Sequence, residues 1–339
     1  MASHEDYMRR CIFLAQKGKG STSPNPMVGA VIVYNDRIIG EGYHKAYGEP
    51  HAEVNAINSV QDEELLKEST LYVSLEPCSH FGKTPPCAHL IVKKNIPRVV
   101  VGSFDPNPLV AGKGIEYLRA HNVDVTESIC EEECNVLNKK FMIFHKAKRP
   151  YIILKWAESI DGFIDHSWKS TQISCEESRV LVHQMRAEND AILVGGRTVI
   201  VDDPSLTVRH VSGKNPIRVI LTNSIELNTD LKILDDQAHT LILNPVTNGE
   251  KGTNKYISVN VNDPHAVTQV LYEEKISSVI VEGGAKTLQR FIDNGMWDEA
   301  LILKSPNPLQ EGTKAPNIQQ LPDSVREFFL DKIYKFYRK

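Results

Sequence analysis

The sequence holds no apolar run of about 18 residues, the length a helix needs to cross a bilayer, and Met1 to Asp6 lack the cationic and apolar regions of a secretory signal. No membrane association is expected, and the chain reads as cytoplasmic. Neither sign of charge dominates: 39 Lys and Arg against 43 Asp and Glu leave a net charge of −4. Nucleic acid is therefore not an expected partner, because no basic field is present to hold a polyanion. Cysteine is scarce, six in 339 residues, which argues against a disulfide framework and leaves free thiols or metal ligands in a reducing compartment. Also missing is a G-x-G-x-x-G after a first strand, so a Rossmann dinucleotide domain is not expected.

Against these absences stands one dense stretch, His51-Ala52-Glu53 followed by Pro77-Cys78-Ser79-His80-Phe81-Gly82-Lys83-Thr84-Pro85-Pro86-Cys87. One imidazole, His51, and two thiols, Cys78 and Cys87, form the ligand set of a catalytic zinc ion (Zn2+) that keeps a fourth position for water. A structural site would be closed by a fourth thiol or imidazole, and none is paired at ligand spacing. Three protein ligands lower the pKa of zinc-bound water to about 7. Glu53, two residues beyond His51, is too close along the chain to share its metal and is read as the catalytic proton shuttle. His-x-Glu with Pro-Cys and a second Cys resembles the zinc-dependent cytosine and adenine deaminases. Their thiols are commonly two residues apart; here eight residues intervene, and Lys83 in the insert suits a substrate that carries phosphate. The competing reading is a zinc ion that only staples the fold, in which Glu53 is dispensable. Cys130 and Cys134, four apart on an acidic stretch, form a weaker metal pair.

The length suits two domains of about 100–200 residues each. In the first, 1–146, Tyr7, Met8, Cys11, Ile12, Leu14 and Ala15 fall at helical spacing. Apolar runs at 30–34 and 37–42 around Asn35-Asp36 predict a hairpin. Helices are expected at 52–59, 88–94, 115–121 and 131–146, with strands at 70–75, 98–102 and 123–125. That order predicts a three-layer α/β/α domain. Lys146 to Pro150 reads as a hinge. In the second domain, 150–339, strands are expected at 151–157, 191–196, 217–221, 240–243 and 278–281. A helix at 176–186 would be capped by Ser174, with Glu177 completing the box, and another spans 288–294. Gly195-Gly196 and Gly283-Gly284 both follow strands, where exposed N–H groups suit a dinucleotide phosphate.

Longer motifs sharpen this. Pro24-Asn25-Pro26-x-Val28-Gly29, the His51 and Cys78 to Cys87 motifs, and Asp105-Pro106-Asn107-Pro108-Leu109-Val110-Ala111-Gly112-x-Gly114 resemble the deaminase half of the bifunctional riboflavin-biosynthesis deaminase/reductases. Lys155-x-Ala157-x-Ser159-x-Asp161-Gly162, Thr198-Val199-x-x-Asp202-Asp203-Pro204-x-Leu206-Thr207-Val208-Arg209 and Val281-Glu282-Gly283-Gly284 resemble their reductase half. The resemblance implies a cytidine-deaminase-like domain followed by a dihydrofolate-reductase-like α/β domain. It implies two consecutive steps: zinc-dependent deamination of a diaminopyrimidinone bearing a phosphoribosylamino group, then NADPH-dependent reduction of the ribosyl group to ribityl.

The same resemblance implies that Asn25, His44, His80 and Lys83 contact the pyrimidine substrate. The ribosyl phosphate would meet Ser170, Arg186, Leu206, Arg209 and Glu282, the two arginines because guanidinium clamps phosphate at two points. NADPH would lie at Ala157, Gln172, Thr198, Asp202 and the run Gly284, Ala285, Lys286, Thr287, Leu288, Gln289 and Arg290. A homo-oligomer is expected, as for most two-domain metabolic enzymes. Two positions depart from the pattern: Phe163 stands where the family often has a basic residue, and Gln172 where it often has Trp. They leave open a deaminase whose second half binds but no longer reduces. A nucleoside or tRNA deaminase is disfavoured by the thiol spacing and the acidic balance. The proton donor of the reduction stays open among Lys155, Asp202 and Glu282.

Overall fold

A computed structural model describes residues 2–79, 85–108, 110–167, 169, 171–223, 228 and 230–339. His80, Lys83 and Ser170, which the family resemblance puts on substrate, lie outside the described residues. The chain divides into two compact units, Met1–Ala147 and Lys148–Lys339.

The first unit opens with α1 (His4–Ala15), where the Ser3 hydroxyl accepts the Asp6 N–H and the Asp6 carboxylate accepts the Ser3 N–H at 2.9 Å. β1 (Gly29–Tyr34) and β2 (Arg37–Tyr43) form the expected hairpin, followed by α2 (Ala52–Asn58), β3 (Thr70–Leu75), α3 (Cys87–Lys93), β4 (Arg98–Ser103), α4 (Lys113–Ala120) and β5 (Asp124–Thr126). The sheet order is β2-β1-β3-β4-β5, antiparallel through β3 and parallel beyond it. β1 is covered on both faces, which is why it reads as an unbroken apolar run. Val31 and Val33 pack on Tyr7, Met8 and Cys11 of α1. Ala30 and Ile32 pack on Ala52, Ala56 and Ile57 of α2. The two-residue period of the strand thus assigns each side chain to one helical layer, giving the α/β/α arrangement.

The helix expected over 131–146 is two helices, α5 (Glu131–Leu137) and α6 (Lys139–Ala147), broken at Asn138. The buried Asn138 carboxamide bonds the Met27 backbone in both directions, accepting its N–H and donating to its C=O, each at 2.9 Å. Helical spacing counts an Asn as a polar-face residue and does not foresee a clamp on a segment more than a hundred residues away.

The second unit contains β6 (Tyr151–Glu158), α7 (Glu176–Ala187), β7 (Ala191–Gly195), α8 (Gly196–Asp202), β8 (Ile217–Leu221), β9 (Thr240–Asn244), β10 (Gly249–Lys251) and β11 (Asn254–Ser258). It continues through α9 (Pro264–Glu273), β12 (Ser278–Gly283), α10 (Ala285–Asp293), β13 (Glu299–Lys304), β14 (Ser324–Phe328) and β15 (Asp331–Tyr337). One sheet runs β10-β11-β9-β8-β7-β12-β6-β13-β15-β14, parallel from β11 to β13. Leu193, Val219 and Val281 face α9 and α10 through Val267, Leu271, Leu288 and Phe291. Ile192, Val194, Ile220 and Ile280 line the opposite face with Val199 and Leu206.

Two expectations need correction. Ser174 does not cap α7: Cys175 is the N-cap residue, and the buried Asp331 of β15 accepts the Cys175 N–H at 2.9 Å and the Ser178 hydroxyl at 2.6 Å. A carboxylate brought in by the sheet replaces the local hydroxyl as the anion at the helix start. Gly195-Gly196 is not a loop either; Gly195 ends β7 and Gly196 opens α8, so Thr198 and Asp202 are helical.

Candidate active sites

In the first unit, His51 immediately precedes α2, Cys78 lies in the loop after β3, and Cys87 opens α3 behind Pro86. The Cys87 backbone N–H donates to Cys78 Sγ at 3.4 Å and the Ala88 N–H to the Cys78 carbonyl at 3.1 Å, so the start of α3 is anchored on Cys78. His51 Nδ1 lies 3.6 Å from Cys78 Sγ and 3.4 Å from Cys87 Sγ, and the three donor atoms fall within 4.8 Å of one another. Ordinary zinc–sulfur and zinc–nitrogen bonds place tetrahedral S···N edges at about 3.6 Å. The donor set therefore fits zinc in both chemistry and spacing. Hydrogen bonds from Cys87 and His51 hold the Cys78 thiol well below its usual pKa, as a metal-ligating thiolate requires.

Glu53 sits on the first turn of α2, only 3% exposed, and burial raises its pKa. With His51 and Cys78 it lines a cavity of about 320 Å³ shared with Asn25, His44 and Asp105. Asn25 Nδ2 donates to His44 Nε2 at 3.1 Å, and His44 Nδ1 donates to the Pro50 carbonyl at 3.1 Å, which fixes a neutral Nδ1–H tautomer. Burial lowers the His44 pKa and keeps the ring uncharged. Asn25 is held beside the Met27 backbone that Asn138 clamps.

Sequence reasoning gave no role to Glu76 or Asp105. The buried Glu76 carboxylate accepts the N–H groups of Gly112 and Gly114, each at 3.0 Å, and longer ones from Asp105 and Ile115, each at 3.4 Å. It fastens the 105–115 segment to the end of β3. That fastening places Asp105 on the cavity, where burial pushes its pKa up to about 7 although it accepts the Asn107 N–H at 2.8 Å. The legible signal was a carboxylate at the exit of an apolar strand, directly before Pro77-Cys78.

In the second unit, polar groups gather at the carboxyl ends of β6 and β12, the edge where parallel sheets take ligands. Lys155 Nζ lies 2.9 Å from Glu282 Oε1, and Arg186 donates to Glu282 Oε2 at 2.8 Å. Burial pushes the Glu282 pKa up, but Arg186 and Lys155 outweigh it and hold it at about 2. Arg186 Nε is buried with no acceptor among the described residues, a donor that a bound anion would satisfy. Leu206 is buried with φ at 54°, while Arg209 and Asp202 are exposed.

The paired glycines lie side by side. A Cβ on Gly283 would meet Thr198 Cγ2 at 3.0 Å, one on Gly195 would meet Thr287 Oγ1 at 2.8 Å, and Gly284 has φ at +74°. Glycine at 195, 283 and 284 leaves no Cβ beside the start of α10, where helix N–H groups suit the phosphates of a dinucleotide. Of the residues implied for NADPH, Leu288 is 1% exposed and belongs to the core, and its N–H donates to the Gly284 carbonyl at 3.1 Å. Gln289 accepts the Asn317 N–H at 2.9 Å, and Arg290 donates to the Val261 carbonyl at 3.4 Å. Ala157 and Ala285 are half-buried, and Lys286 and Gln172 are exposed. Phe163 carries the Lys314 ammonium 3.7 Å above its ring centroid.

Two family models match the chain: the cytidine and deoxycytidylate deaminase zinc-binding region over residues 1–103, and the RibD C-terminal domain over residues 150–333. Fold and sites together define an α/β enzyme in which a zinc-dependent deaminase is joined to an NADPH-dependent reductase. The riboflavin biosynthesis protein RibD of Aquifex aeolicus is 43% identical over 317 residues, covering 91% of this chain and 88% of that protein. RibD of Bacillus amyloliquefaciens is 41% identical over 327 residues, covering 93% and 87%. The crystal structure of a diaminohydroxyphosphoribosylaminopyrimidine deaminase/5-amino-6-(5-phosphoribosylamino)uracil reductase from Thermotoga maritima aligns with a TM-score of 0.89 at 34% identity, over 99% of each chain. The chain belongs to the RibD family of bifunctional riboflavin-biosynthesis enzymes. No helix among the described residues is long and apolar enough to cross a membrane.

Proposed function

We propose that the first unit deaminates 2,5-diamino-6-(phosphoribosylamino)pyrimidin-4-one and that the second reduces the ribosyl group of the product to a ribityl chain. The observation that carries this reading is the convergence of the His51, Cys78 and Cys87 donor atoms within 4.8 Å, with the buried Glu53 lining the same cavity as His51 and Cys78. Bound at those residues, zinc supplies a water acidic enough to lose a proton near neutral pH. Glu53 takes that proton and passes it to the departing 2-amino group; a C–O bond forms, the C–N bond breaks and ammonia leaves. A carboxyl whose pKa burial has raised serves both directions of that transfer. Asn25, its amide N–H committed to His44, offers its carbonyl oxygen to a pyrimidine N–H. His80 and Lys83 are assigned to the same substrate on their motif.

In the second unit, NADPH supplies a hydride. We assign its binding to Ala157, Gln172, Thr198 and Asp202, and to residues 284–290. Hydride supplied at C1′ of the ring-opened imine would break the C=N double bond, and one proton to the nitrogen would complete the amine. Lys155 is the donor this reading selects, because Glu282 stays ionised and Asp202 is exposed at the end of α8. Arg186 and Arg209 hold the phosphate, with Ser170 and Leu206 beside it. A reducing cytoplasm is supported by the need to keep Cys78 and Cys87 reduced as metal ligands. A homo-oligomer is supported by the exposed apolar side chains of the β14–β15 hairpin, Val325 on β14 and Phe329 and Leu330 in its turn.

The test supplies the diaminopyrimidine with NADPH and follows ammonia and nicotinamide absorbance together. One ammonia and one oxidised NADPH per substrate are expected. Turnover of cytidine but not of the phosphorylated pyrimidine would overturn the reading.

A further inference from the structure

We propose that His183 is a positioning residue for the phosphate of the reductase substrate, acting through Arg209. The proposal rests on the reading above that Arg209 holds that phosphate. His183 and Arg186 lie three residues apart on α7, one above the other on a single face. His183 is 4% exposed, and its Nδ1 accepts the Arg209 backbone N–H at 3.1 Å. Arg186 donates to the Thr207 carbonyl at 3.4 Å. α7 therefore grips the 207–209 stretch at two points, and Asn215 Oδ1 accepts the intervening Val208 N–H at 2.8 Å. The His210 ring meets His183 edge-on, 4.5 Å between centroids at 81°, which fixes the plane in which Nδ1 presents its lone pair.

Only the neutral ring has that lone pair. Burial, with the neighbouring charges of Arg186, His210 and Arg209, lowers the His183 pKa to about 4, so it remains an acceptor at any physiological pH. The consequence is a division of labour on one exposed residue. The Arg209 side chain stays in solvent to meet an anion, while its backbone is fixed from inside the fold. A guanidinium projecting from a fixed backbone samples fewer positions before binding, and less ordering is lost when phosphate arrives.

The full-length enzyme is compared as wild type, His183→Asn, His183→Gln and Arg209→Gln. NADPH oxidation is followed with 5-amino-6-(5-phosphoribosylamino)uracil and with the same compound lacking its phosphate. Asn places a carbonyl oxygen where Nδ1 stands; Gln carries it one methylene further out. His183→Gln is expected to raise KM for the phosphorylated compound about tenfold, the scale of one lost hydrogen bond. Its kcat, its KM for NADPH and its KM for the unphosphorylated compound should stay within about twofold of wild type, the pattern of lost uniform binding. His183→Asn should behave as wild type. Equal increases in both substrate KM values, or no increase while Arg209→Gln shows one, would overturn the proposal. Failure of both amide variants to fold would also overturn it, making His183 a structural residue. If Arg209→Gln leaves the preference for phosphate intact, the Arg209 assignment itself is wrong and the His183 role falls with it.

Discussion

Glu53 and Glu282 are both buried carboxyls, yet their surroundings send them in opposite directions. Glu53 is raised by burial, against which the charge on His51 is the opposing influence, whereas Glu282 is pinned by Lys155 at 2.9 Å and Arg186 at 2.8 Å. The first suits a group that must gain and lose a proton, and the second a fixed anion that orients two cations. Replacing Glu53 with Gln keeps the shape and the three metal ligands but removes the transfer. Ammonia release should fall by a factor of about 10²–10⁴. Zinc content, and NADPH oxidation with deaminated substrate, should hold; deamination at the wild-type rate would remove Glu53 from its role. Glu282 predicts a pH effect. Its pKa falls from 4.5 to about 2 on folding, so its stabilisation is complete above pH 4.5 and is lost as pH drops through 2. The loss is on the order of 3 kcal/mol, since each pKa unit is worth about 1.4 kcal/mol. The melting temperature of wild type should decline over that window more steeply than that of Glu282→Gln, measured by calorimetry. Parallel slopes would show that Glu282 does not titrate as assigned.

At the scale of elements, the bounds came straight from the sequence where apolar side chains alone decide. The strands at 70–75 and 217–221 have the limits that their apolar runs predict. The reading fails where a distant polar side chain decides, as when Asn138 divides one expected helix into two and Asp331 replaces Ser174 at the start of α7. It also leaves out β10, β11, α9, β13, β14 and β15: β10 and β14 are mostly exposed and their alternation carries little signal, whereas β13 is buried over nearly its whole length and its apolar run is overlooked. Arg218 is the extreme case, a cation inside apolar β8 with 0% exposure. Its guanidinium donates to Thr240 Oγ1 at 2.9 Å, Asp235 Oδ1 at 2.7 Å and the Ala238 carbonyl at 2.6 Å, tying β8 to the turn that leads into β9. Arg218→Met strands those acceptors; losing one partner of a fully buried pair costs about 3–5 kcal/mol, and the loss here should fall toward the lower end because water reaches the Asp235 side chain, 31% exposed. Denaturant unfolding should show that loss in the second unit while deaminase activity survives. A loss below about 1 kcal/mol would place Arg218 with ordinary surface pairs.

Across the whole molecule, the two sites differed in legibility because of how each is assembled. The three proposed metal ligands and the proposed proton shuttle fall inside 37 residues, His51 to Cys87, so motif spacing pointed to the first site. The second draws Lys155 from β6, Arg186 from α7 and Glu282 from β12, residues that meet only when the sheet forms, and resemblance rather than spacing pointed to them. Glu76 and His183 escaped because each acts on backbone N–H groups, which leave no trace in side-chain pattern. Each unit has its own hydrophobic core, and no residue of the zinc cluster lies beyond Ala147. The two chemistries should therefore separate on metal removal. A strong zinc chelator should abolish ammonia release, since nothing else at His51, Cys78 and Cys87 can acidify a water. NADPH oxidation with the deaminated substrate should stay within about twofold, because the His51, Cys78 and Cys87 cluster lies in the first unit. Added zinc should restore deamination, and Cys87→Ser should reproduce the chelated state. Parallel loss of both activities in the chelated enzyme would mean that the metal also sustains the reductase fold, and that the second core is not sufficient by itself.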